Sequence, residues 1–240
     1  MPIASSSLST NPRINLSLPP FRLVCGIICI KKYKTCEPLS GSLAVLVSFA
    51  PMHIGLYFGS FNPIHIGHLI VANHVVENGE VDKVWFVVSP HNPLKDAHSL
   101  LNEYDRLHLV ELAIEDNLKF RASNVEFHLP KPSFTIDTLT YLAEKFPLEK
   151  FSIILGSDSF QNIHRWKNFE ALVANHSFIV YNRPGFEVRD THGAAITVMD
   201  APLLQISSTY IRQQIKESKS VRYLLPDPVF KYIDDNRYYQ

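Results

Sequence analysis

Two histidines three residues apart, His65 and His68, close the stretch FGSFNPIHIGH that runs from Phe58 to His68. Gly59 and Ser60 allow close approach to the backbone, Pro63 fixes a turn, and a helix is expected to begin near Ile66 or Gly67. Residues three apart on a helix share a face, so both imidazoles can look the same way from its first turn. The unpaired amides and positive end of such a helix favour an anion, and the imidazoles add donors. Phosphate binding is the chemistry these residues suit. A zinc site would need a third ligand and would more naturally use His-x-x-x-His with a Glu. Two half-buried histidines at a helix start are the plainer alternative; the coincidence of Gly, Pro and two His in so short a stretch weighs against it.

QISSTYIRQQI, from Gln205 to Ile215, offers a second anion site. Ser207 or Ser208 can cap a helix while presenting hydroxyls and amides, and Arg212 lies one turn on from Ser208, on the same face. A guanidinium there can fork onto phosphate. Alone, the segment reads as a well-capped amphipathic helix. Its pairing with the first motif favours the functional reading.

The elements that must position these residues alternate between two periods. HIGLYFG (His53 to Gly59), KVWFVVS (Lys83 to Ser89), KFSIILGSD (Lys150 to Asp158), SFIVYNRP and AAITVMD read as strands, with a further strand within FRASNVEFHL. GHLIVANHVVENG, EYDRLHLVELAIEDN, SFTIDTLTYLAEKF and SSTYIRQQIKES read as helices, the third with Ser133 or Thr135 near its cap. PHNPLKDAHSLL is a Pro-broken loop. Such alternation indicates an α/β domain with a mainly parallel sheet, whose ligands bind at the carboxyl ends of the strands. The loops after Phe58, Ser89, Leu155 and Asp200 should therefore converge.

The 240 residues, 46% of them hydrophobic, can fill a real core. The formal charge is zero, but residues 1 to 51 hold five basic residues and one acid, leaving 18 basic and 22 acidic residues in the remainder. That balance weakens a general nucleic-acid-binding reading. Cys25, Cys29 and Cys36 all precede Met52, so the body has no thiol chemistry, and Cys25-x-x-x-Cys29 lacks a partner pair for a metal. The opening segment is Ser- and Pro-rich and is expected to have little order. Its apolar runs are too short for a membrane span of about 20 residues. A signal or transit peptide is conceivable, but a clear cleavage pattern is missing. The preferred expectation is that Met52 is the native start, residues 1 to 51 lie upstream of it, and residues 52 to 240 form the catalytic domain.

GSFNPIHIGH followed by ISSTYIR resembles the nucleotidyltransferase superfamily, and specifically the bacterial nicotinate-nucleotide adenylyltransferases. The resemblance covers the chain from about Met52 to the C-terminus. It implies a Rossmann-like open sheet with helices on both faces and a small C-terminal helical part. It also implies adenylyl transfer from ATP to nicotinate mononucleotide, with Mg²⁺, in the cytoplasm, and it is compatible with a homo-oligomer. Carried over by match, His65, His68 and Arg212 would be catalytic. Gly59, Ser60, Phe61, Gly156, Asp158, Ser207 and Ser208 would bind ATP, and Lys95, Thr135 and Trp166 would bind the acceptor side. No protein-held metal is implied. The sequence departs from the family at Phe58-Gly59, where Gly-Gly is common, at Asn62, where Asp is frequent, and at Leu94, where a histidine is usual; His91 is a neighbour able to replace it. Phosphopantetheine or nicotinamide mononucleotide as acceptor, or a non-catalytic nucleotide-binding protein, are the alternatives.

Overall fold

A computed structural model describes residues 50–90, 100–202 and 204–240, all within the unit Ser48–Gln240. Lys95, His91 and Leu94 lie outside the described residues, as does almost all of the segment before Met52.

Six strands form one sheet: β1 (His53–Gly59), β2 (Lys83–Val88), β3 (Phe120–Ser123), β4 (Lys150–Gly156), β5 (Ser177–Tyr181) and β6 (Ala195–Met199). Their order is β3-β2-β1-β4-β5-β6, and every neighbouring pair is parallel. The helices are α1 (Ile66–Glu77), α2 (Glu103–Ile114), α3 (Thr135–Lys145), α4 (Ser157–Phe160), α5 (Phe169–Asn175), α6 (Ser208–Lys216) and α7 (Asp227–Asp235). None of the described helices is long and apolar enough to cross a membrane.

Period-2 alternation divides the core between the two faces. Tyr57, Val84, Phe86, Ile154 and Ile179 pack with Val71 and Val75 of α1, Leu109 and Val110 of α2, Ile211 of α6 and Val229 of α7. Ile54, Leu56, Trp85, Ile153 and Phe178 face the other way, onto Leu139 and Leu142 of α3 and Leu172 of α5. Both faces are thus covered by helices, which is why the central strands read as continuous apolar runs. Chain order reverses between β1 and β4, and a doubly wound sheet opens a crevice at that switch point.

The strand expected within FRASNVEFHL is present, four residues long, before a 3-10 turn at Val125–His128. Two details differ from the sequence reading. Neither Ser133 nor Thr135 caps α3, because Phe134 holds the N-cap position and the Ser133 hydroxyl is engaged elsewhere. The short helices α4 and α5 carry too few residues to show a helical period.

Candidate active site

A cavity of about 540 Å³ lies over the carboxyl ends of β1 and β4. Gly59 and Ser60 from the β1 exit, Gly156 and Asp158 from the β4 exit, Thr135 of α3 and Trp166 all line it. Trp166 stands on the loop between a 3-10 turn and α5, not within a helix.

Of the first motif, Phe58, Gly59 and Ser60 line this cavity, whereas Phe61, His65 and His68, and Ser207, Ser208 and Arg212 of the second motif, are not among its lining residues. α1 begins at Ile66 with His65 at its N-cap position, and the His65 backbone N–H donates to His68 Nδ1 at 3.2 Å. With Nδ1 accepting, the proton of a neutral His68 resides on Nε2. The two rings stack with centroids 3.7 Å apart. A Cβ at Gly67 would stand 3.1 Å from the His65 ring, so glycine makes room for the stack. His65 is only 6% exposed, and burial, followed by the charge of Arg183, pushes it down to about 4. It is therefore neutral at physiological pH, and its Nδ1 has no hydrogen-bond partner. Phe61, at φ 43°, is buried with its ring edge-on to His68 at 5.1 Å, so what it can offer a nucleotide is backbone. Gly59 is required beneath it, since a Cβ there would come within 2.8 Å of that ring.

The second motif is fastened to the first. Ser207 caps α6 by accepting from the Tyr210 N–H at 3.1 Å. The Ser208 hydroxyl donates to the Pro63 carbonyl at 2.9 Å, and Arg212 Nη1 donates to the Asn62 carbonyl at 2.8 Å. The Ser208 hydroxyl proton is thus committed within the protein, whereas Ser207, which accepts from Tyr210, keeps its O–H to offer an anion beside the first-turn amides of α6. Asn62 Oδ1 accepts from the Leu101 N–H and from the Tyr239 hydroxyl, which ties the same loop to α2 and the C-terminus.

On the β4 side Asp158 pairs with Arg183 at 3.3 Å, and Arg183 also donates to the Tyr181 hydroxyl. Gly156 allows this pair to cross over it, because a Cβ would meet Asp158 Oδ1, Arg183 Nε and the Tyr181 ring. The cavity also holds Thr135, Phe134, Ser133 and Glu126 around the start of α3, with Trp166 and Lys167. Lys167 pairs with Asp137 at 2.8 Å. Among the described residues no cluster of three His, Cys, Asp or Glu side chains could hold a metal ion.

Residues 56–214 match the cytidylyltransferase-like family model. A "Probable nicotinate-nucleotide adenylyltransferase" of Flavobacterium psychrophilum is 50% identical over 192 residues, covering 79% of this chain and all of that relative. One of the same description from Cytophaga hutchinsonii is 48% identical over 78% of this chain and 98% of the relative. The chain belongs to the nicotinate-nucleotide adenylyltransferase family. Its fold is also that of a Plasmodium falciparum nicotinic acid mononucleotide adenylyltransferase complexed with NaAD, at TM-score 0.68 and 23% identity over 78% of this chain and 97% of that one.

As a nicotinate-nucleotide adenylyltransferase family member, the chain carries three further residues at this site that the motifs did not reveal. Arg106 is fully buried and donates to the carbonyls of Ser60, Ser89, Pro90 and Leu101 at 2.6 to 2.9 Å, joining the exits of β1 and β2 to the start of α2. Its signal was available: it lies three and four residues before Leu109 and Val110, on the apolar face of α2. Arg183 and Glu126 gave only weaker signals, a base beside a strand end and an acid between apolar residues.

Proposed function

We propose that this chain transfers the adenylyl group of ATP to nicotinate mononucleotide, yielding nicotinate adenine dinucleotide and pyrophosphate, as a cytoplasmic enzyme of NAD biosynthesis. The observation that carries the mechanism is the pair of helix N-termini, α1 and α6, locked together through Arg212 on Asn62 and Ser208 on Pro63. Two amide-rich helix starts held in fixed relation can grip neighbouring phosphates of one triphosphate.

A phosphate oxygen of the acceptor attacks the α-phosphorus, and the bond from that phosphorus to the bridging oxygen of the β-phosphate breaks. Positioning and charge stabilisation suffice for such a displacement, so no protein nucleophile is needed. His68, its Nδ1 occupied by the His65 amide, directs Nε2–H toward the α-phosphoryl oxygens where negative charge grows. His65 stays neutral and braces that ring by stacking. Arg212 and the α6 amides hold the departing pyrophosphate. Mg²⁺ would enter as part of the MgATP substrate, held by phosphate oxygens and water, which suits a site whose described residues offer no carboxylate cage. Gly59 and Ser60 bring backbone against the nucleotide, and Asp158 lies beside its ribose. At the other end Trp166 stacks on the pyridine ring, while Thr135 and the first amides of α3 receive its carboxylate.

Pyrophosphate release by the purified chain with MgATP, offered nicotinate mononucleotide, nicotinamide mononucleotide and phosphopantetheine in parallel, tests this reading. A marked preference for the first is expected. Preference for either of the others would overturn the acceptor assignment, and no turnover with any would overturn the activity.

A further inference from the structure

Asn62 and Pro63 form the turn that delivers His65 and the start of α1, and Asn62 is only 2% exposed. Ser208 and Arg212 of α6 hold the two backbone carbonyls of this turn. The Asn62 side chain is held separately: Oδ1 accepts from the Leu101 N–H at 3.3 Å and from the Tyr239 hydroxyl at 2.8 Å, the latter 177 positions away in sequence. Tyr239 follows α7, whose Val229 and Ile233 are buried in the core. Arg237 at φ 54° and Tyr239 at φ 65° both lie in the left-handed region and bend the tail after α7. A tyrosine there is strained and persists only where its surroundings over-determine it. Its ring packs on the core and its hydroxyl on Asn62. Burial pushes the phenol up more than the charges of Arg212 and Arg106 pull it down, so it keeps the proton that it donates.

We propose that Tyr239 is a positioning residue for ATP binding: its hydroxyl fixes the Asn62 side chain, and through it the angle at which the start of α1 meets the triphosphate. This rests on the functional reading above. Arg212 spends Nη1 on the Asn62 carbonyl and Nη2 on the Thr209 hydroxyl, and the same guanidinium is the one assigned to the departing pyrophosphate. A turn held by that group alone would shift as phosphate arrives and leaves. The Tyr239 hydroxyl and the Leu101 N–H have no part in holding phosphate, so they keep the turn in place before the nucleotide binds. Donors fixed in advance need no rearrangement at the moment of reaction, and a small misplacement of them is costly. The tail beyond α7 thereby belongs to the nucleotide site although it lies at the other end of the fold's sequence.

Initial rates of the full chain are to be compared with those of Tyr239→Phe, which keeps the ring and loses the hydroxyl, and of Tyr238→Phe, which loses the neighbouring hydroxyl that bonds Asp105 instead. In Tyr239→Phe the kcat/KM for ATP should fall about tenfold, mostly through the KM for ATP, with the acceptor KM held. Tyr238→Phe should stay within about twofold of the parent. In an Asn62→Ala background, Tyr239→Phe should cost nothing further, because its partner is already gone. A tail that served stability alone would lower the active fraction, and so kcat, in both tyrosine variants while leaving the KM for ATP unchanged. That pattern, or an undiminished loss in the Asn62→Ala background, overturns the role of Tyr239 and leaves the functional reading standing. So does a Tyr239→Phe chain within about twofold of the parent in kcat/KM for ATP, or one that fails to fold, which would assign the hydroxyl to stability. A parent chain inactive with every acceptor overturns the functional reading and this proposal together.

Discussion

In the proposed mechanism His68 acts through a single tautomer, set by a backbone amide three residues earlier. Its removal takes away a donor aimed at developing charge, together with the stack on His65 and the edge contact with Phe61. His68→Ala should therefore lower turnover by about 10²- to 10³-fold with an unchanged near-ultraviolet circular dichroism spectrum; turnover within threefold of the parent, on the order of half a kcal/mol, would remove His68 from the mechanism. His65 makes a different prediction. Its protonation is depressed to about 4 by burial and Arg183, so below the ordinary histidine value the unfolded chain binds the proton that the folded chain resists. Its contribution to stability is complete above pH ~6.5 and is lost as pH falls toward ~4, amounting to about 3 kcal/mol at most. Burial lowers His53 and His176 too, which adds to the same slope. Urea midpoints measured from pH 4.5 to 7.5 should show a shallower pH dependence in His65→Asn than in the parent. The motif histidines were legible because Gly, Pro and His with fixed spacing leave few alternatives. Their division of labour was not, since neither burial nor the Nδ1 contact can be read from spacing.

At the scale of elements, the alternation of strand and helix was readable because both faces of each central strand are buried and each long helix keeps one apolar stripe. What failed to show was where polar groups would find partners across the chain. Ser133 looked like a cap for α3, yet its hydroxyl goes to Glu126, which sits seven residues earlier and competes for the same proton. Arg106 is the strongest case. Four carbonyls from three segments converge on one guanidinium, and a planar fork with donors in several directions is the only side chain that reaches them together. Burial lowers its proton affinity, but guanidinium remains charged throughout the working range. Arg106→Met would leave these carbonyls without their donor, and Arg106→Lys would supply donors from one point only. Both should lose about 3 to 5 kcal/mol of unfolding free energy. Both should also raise the KM for ATP, because Ser60 belongs to the loop proposed to receive the nucleotide. Chemical denaturation and initial-rate kinetics on the same preparations check the two effects.

The whole molecule places every motif on one rim of one sheet, and this follows from topology more than from any residue. All six strands are parallel, so their carboxyl ends share an edge, and the reversal between β1 and β4 leaves the gap that the ligand fills. The architecture was therefore legible once the alternation was recognised. The two faces of the core draw on residues from Met52 onward, and the family match begins at residue 56. Both helix starts proposed to bind phosphate, the proposed acceptor end and the Arg106 brace also lie in that span. The segment before Met52 differs from this span in charge and holds every cysteine of the chain. Residues 52 to 240 produced alone should consequently unfold in one cooperative transition and match the full chain in kcat and in the KM for both substrates. A truncated chain that aggregates, or that folds but turns over at less than about a tenth of the parental rate, would assign the preceding segment a part in the enzyme, since a tenfold loss corresponds to about 1.4 kcal/mol of lost transition-state stabilisation.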